Sequence, residues 1–123
     1  MIAIWILACS TTEYVVPQAE VFSDDSWEGN LFFHSFSGAQ ELCQTVYSLE
    51  GEERSCENCL WEVSFVLESL SEPCVYNDLE TLVFRVGEDS KWYVFEETGW
   101  EVWGTVSESE DYWSFVSNYH FFP

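Results

Sequence analysis

The stretch Cys59-Leu60-Trp61-Glu62-Val63-Ser64-Phe65-Val66-Leu67-Glu68 decides how the rest of the chain is read. Trp61, Val63, Phe65 and Leu67 alternate with Glu62, Ser64 and Glu68, the period of two that marks a strand with one face in a core and one in water. Cys59 shares the parity of Trp61 and is expected to face the core, while Cys56 points the other way if the chain is extended there. Upstream, Glu50-Gly51-Glu52-Glu53-Arg54 reads as a polar turn, and Ser71-Glu72-Pro73 ends the strand downstream.

Working outward, Asn30 to Phe36 is expected as a first strand. Ala39 to Leu49 is ambiguous: its first residues form helices well, but Thr45-Val46-Tyr47 favours a strand. Thr81 to Val86 alternates, with Leu82, Phe84 and Val86 on one side and Thr81, Val83 and Arg85 on the other. Lys91 to Glu96 and Trp100 to Ser107 form a hairpin across Glu97-Thr98-Gly99. If Trp92 and Val94 face inward, Tyr93 and Phe95 face outward. Tyr112 to Phe122 closes the series. No long stretch has helical period. The expected fold is all-β, a small antiparallel β-sandwich or barrel of about seven strands, stapled by disulfides.

Composition sets limits on function. The chain has 123 residues, room for one domain. An apolar fraction of 47% argues against disorder, and 7 Trp, 6 Tyr and 10 Phe supply ample core volume. Against 23 acidic residues stand only Arg54, Arg85 and Lys91, a net charge of −20 that repels phosphate backbones and excludes nucleic-acid binding. No acidic run has the spacing of a calcium loop. The two histidines, His34 and His120, read as strand-face residues. With no hydrolase or zinc-protease motif, no catalytic residue is assigned and the chain is not expected to be an enzyme.

Residues 1–8 form an apolar run too short to cross a bilayer. The run ends in Ile6-Leu7-Ala8-Cys9, followed by Ser10. This resembles the lipobox of bacterial lipoproteins, although no positively charged segment precedes it. The resemblance implies that 1–8 are a signal peptide and that Cys9 becomes a lipidated N-terminus in the cell envelope, with Ser10 pointing to the outer membrane. Several acyl chains hold a soluble domain at a membrane, where one would let it dissociate. Residues 9–26 then read as the lipidated N-terminus and a tether, since Pro17 suits no central strand. Residues 27–123 are left as the β domain. More broadly, the chain resembles small cysteine-bearing lipoproteins that carry no known activity.

Cys43, Cys56, Cys59 and Cys74 remain. Pairing within Cys56-Glu57-Asn58-Cys59 is the least expected if both lie on an extended strand. Cys43–Cys56 with Cys59–Cys74 is favoured, each closing a loop worth roughly 3 kcal/mol, and the crossed pairing comes second. A four-thiolate zinc site is the competing use of these residues, though only one C-x-x-C knuckle is present; no metal or other cofactor is assigned. The function expected is a structural or binding role with an envelope protein or glycan as partner. As an alternative, Trp92, Trp100, Trp103 and Trp113 would build a platform for sugar or peptide.

Overall fold

A computed structural model describes residues 13–22, 26–70 and 81–117. Eight antiparallel strands follow one another around a closed barrel: β1 (Glu13–Phe22), β2 (Trp27–Ser37), β3 (Gln40–Arg54), β4 (Cys59–Ser69), β5 (Thr81–Gly87), β6 (Lys91–Glu96), β7 (Gly99–Glu108) and β8 (Trp113–Val116). Each strand pairs with its neighbour in sequence, and β1 closes the ring against β8. The leader, Cys9, Cys74 and His120 lie outside the described residues.

The eighth strand comes from the segment expected to be a tether. In β1, Val15, Pro17, Ala19 and Val21 are buried and alternate with half-buried Val16, Gln18 and Glu20. Pro17 fits because it lies just past the last β1–β8 pair, Gln18 with Val116. There its carbonyl still accepts the Ser117 N–H at 3.1 Å, and the donor it lacks falls at the ladder's end. The expected turn at Glu50 to Arg54 is likewise strand: β3 runs on, pairing Gly51 with Phe65 and Arg54 with Glu62. The ambiguous segment before it is all strand.

An eight-stranded barrel encloses a space that side chains can fill. Here aromatic rings fill it. Trp92, Phe33, Phe65, Phe84 and Phe115 are fully buried with Leu31 and Leu49. Phe84 meets Trp92 at 5.0 Å and Phe65 at 5.2 Å, and Trp92 meets Phe115 and Trp103 at 5.3 Å, all in edge-on geometries. Such pairs add about 0.5–1.5 kcal/mol each beyond their buried area. Gly104, opposite Trp92, admits this packing: a Cβ there would collide with the Val116 carbonyl, the group that accepts the Trp92 Nε1–H at 3.3 Å.

Among the described residues no helix is long and apolar enough to cross a membrane. The barrel interior is apolar, and the outward positions mix Glu20, Ser48, Glu50 and Ser64 with exposed Val66, Phe95, Val102 and Val116.

Candidate binding face

With the interior filled by rings, the outer wall is the surface left for chemistry. On β5, alternation turns Thr81, Val83 and Arg85 outward; on β6, Lys91, Tyr93 and Phe95. The β6–β7 hairpin folds tightly over Glu97-Thr98, with Gly99 at φ 115°, a conformation that favours glycine. The Thr98 hydroxyl donates to Glu101 at 3.0 Å and holds the turn. This register sets Phe95 opposite Trp100, Tyr93 opposite Val102, and Arg85 opposite Tyr93.

The result is an arginine held between rings. The Arg85 guanidinium carbon lies 5.0 Å from the Tyr93 ring centre and 4.9 Å from that of Trp100. Phe95 packs against Trp100 at 5.3 Å and is 54% exposed, as is Val102. A 400 Å³ recess lined by Thr81, Leu82, Val94, Phe95 and Trp103, with Glu96 and Glu97 at its side, adjoins the ledge at Phe95.

Among the described residues Arg85 has no ion-pair partner. Glu62 faces it across the β4–β5 ladder, but the Glu62 carboxylate is engaged by Arg54 Nε at 3.4 Å. The Arg85 Nε–H is buried and makes no hydrogen bond. Asp89 is held by the Tyr93 hydroxyl, which donates to it at 2.7 Å, and by the Lys91 N–H at 3.3 Å. The hydroxyl bond is the main cause that holds the Asp89 carboxyl below its ordinary range, and it pushes the Tyr93 phenol up, with Arg85's charge pulling the other way.

The four tryptophans expected as a platform do not come together. Trp92 is fully buried, Trp103 is 6% exposed, and Trp113 packs edge-on against Trp61 at 5.8 Å. Only Trp100 reaches the outer wall. Trp100 and Trp103, three residues apart, face opposite sides of β7, and the register shift between Trp92 and Tyr93 sets Gly104 rather than Trp103 opposite Trp92. The ledge is made by Trp100 with Tyr93, Phe95 and Arg85. Outward Tyr93 and Phe95 follow from alternation, but the clamp on Arg85 depends on the hairpin register.

The cysteines also depart from expectation. Cys56 bonds to Cys59, with Cα atoms 6.0 Å apart. The chain is not extended there: β4 begins only at Cys59, and Asn58 adopts φ 61°, bending the four residues into the β3–β4 turn. Cys43 is also disulfide-bonded, to a cysteine outside the described residues. These three sulfurs are therefore spent on bonds, which overturns the four-thiolate zinc site. Among the described residues no group of three or more potential metal ligands occurs.

No protein-family model, no curated protein and no solved structure matches the chain.

Proposed function

We propose that this chain is a non-catalytic binding module of the cell envelope, held at the outer membrane by lipid on Cys9, that takes glycans on the β5–β7 ledge. The observation that carries the reading is Arg85, set over the Tyr93 and Trp100 rings beside exposed Phe95, with no ion-pair partner among the described residues. Exposed rings on a firm strand surface stack against the apolar faces of sugars, and the arginine edge supplies directed hydrogen bonds to their oxygens.

The lipobox resemblance supplies the anchor, and the position of β1 supports a close mounting. Glu13 opens β1 four residues after Cys9, so a lipid on Cys9 holds that end of the barrel within about 14 Å of its attachment. The ledge lies on the side wall of such a barrel and stays open to the medium.

Two measurements test this. Intact mass of the full chain from an envelope-bearing bacterial host is expected to show a mature N-terminus at Cys9 with acyl chains; an unmodified Cys9 behind an intact Met1 contradicts the anchor. A screen of envelope glycans is expected to return ligands whose binding Trp100→Ala abolishes. Ligands that bind the Trp100→Ala variant unchanged contradict the ledge.

A further inference from the structure

We infer that the ledge selects acidic sugars: a uronate residue of a polysaccharide, with its ring on Phe95 and Trp100 and its carboxylate on the Arg85 edge. This deepens the proposed function and rests on it.

The argument starts from scarcity. The chain holds 23 acidic residues and 3 basic ones. In such company an exposed arginine ordinarily finds a carboxylate, as Arg54 does with Glu62. Arg85 does not, although Glu62 and Asp89 are both near in the fold; each is held by another group. Its guanidinium lies over two rings instead. The two terminal nitrogens of a guanidinium match the two oxygens of a carboxylate.

Arg85 Nε is buried and out of a ligand's reach, so an incoming group meets the terminal nitrogens of the guanidinium. A neutral hydroxyl would bond them weakly. A carboxylate bond to arginine is roughly twice as strong, because both partners are charged. The net charge of −20 does not forbid an anionic ligand. In physiological salt its reach is cut to about 8 Å, which leaves Arg85 against the nearby Glu62 and Asp89, each already holding another partner, so the site takes one carboxylate where a run of phosphates is repelled. The ligand's ring and charge must also sit side by side, since Phe95 and Trp100 lie 5.3 Å apart with the guanidinium 4.9 Å from Trp100. A pyranose bearing a carboxylate directly on its ring has that form.

The test compares an oligogalacturonate with its methyl ester, which keeps the ring and removes the charge, titrated calorimetrically into the full chain in mild detergent. The acid form is expected to bind at least tenfold more tightly than the ester. Arg85→Met should erase the preference while keeping the folded spectrum, Arg85→Lys should reduce it, and Trp100→Ala should lose both forms. Equal affinity for acid and ester overturns the acidic selection and leaves the glycan ledge standing. A preference that survives Arg85→Met overturns the assignment to Arg85. Binding of neither form overturns the inference, while the ledge itself is decided by the glycan screen with Trp100→Ala.

Discussion

The outer wall carries two aromatic rows, and they are finished differently. On β1 and β2, Phe32, His34 and Phe36 follow one another, with ring centres 6.2 and 6.4 Å apart, and Tyr14 stacks on Phe36 at 5.4 Å. On β5 to β7 the row is Tyr93, Arg85, Trp100 and Phe95. The first row is closed by its own polar partners. His34 Nδ1 lies 2.7 Å from Glu41 Oε1, and the Tyr14 hydroxyl donates to the Gly38 carbonyl at 2.6 Å. In the second row the phenol is tied to Asp89, but the cation at the centre is left open. Rings on a barrel wall are therefore not by themselves a binding face. The unpaired cation is what distinguishes the row that we propose as the binding face.

The comparison rests on a plugged interior, which gives the largest expected effect. Trp92→Ala removes the ring that meets Phe84, Trp103 and Phe115, and should cost about 3–5 kcal/mol in denaturant unfolding. A loss below about 1 kcal/mol would mean the barrel is not filled as described and that the lumen competes with the wall as a site. Next comes the turn that separates the rows. Replacing Cys56 and Cys59 together by serine releases the four-residue staple at the β3–β4 turn and should cost about 2 kcal/mol in the chain-entropy model. Glycan affinity should not follow this loss, because β5 to β7 are set by other ladders.

Smaller still is the effect on stability of editing the rows themselves. Arg85→Met should stay within about 0.5–1 kcal/mol of the parent in thermal unfolding while abolishing acid-glycan binding. His34→Ala in the other row should leave binding untouched. If the two substitutions weaken binding alike, the distinction between closed and open rows fails.

The smallest effect is a pH dependence. Asp89 is held below its ordinary value of 3.8, so its contribution is present above that value and is lost as pH falls through the lowered one. Tyr93 is raised above 10.0, so its contribution is present below that value and is lost as pH rises through the raised one. Tyr93→Phe should flatten both limbs of the stability profile and return the Asp89 titration, followed by NMR, toward its ordinary value.

Much of this architecture was legible in local alternation. Leu60 to Glu68 and Thr81 to Val86 place their inward residues as the barrel does, because a period of two survives wherever one face is buried. The failures share another cause: they turn on single backbone positions whose meaning is set by distant partners. Pro17 looked like a strand breaker because composition does not reveal that it sits at the end of the β1–β8 ladder. Asn58 at φ 61° converts an apparent strand start into a turn and lets Cys56 meet Cys59. The bulge beside Trp92 sets Gly104 rather than Trp103 opposite it, a register that the spacing of the tryptophans does not reveal. Arg85 could be placed outward from sequence, but its lack of a carboxylate depends on Arg54 reaching Glu62 first.

The most direct test of the outer-wall account is an NMR titration of the isotopically labelled full chain with oligogalacturonate, following backbone and side-chain signals together. The account predicts shifts confined to Val83, Arg85, Tyr93, Phe95, Trp100 and Val102, with the Arg85 and Trp100 side-chain signals moving most. Shifts centred on interior residues such as Phe33 and Trp92, or on the Phe32–His34–Phe36 row, would contradict it.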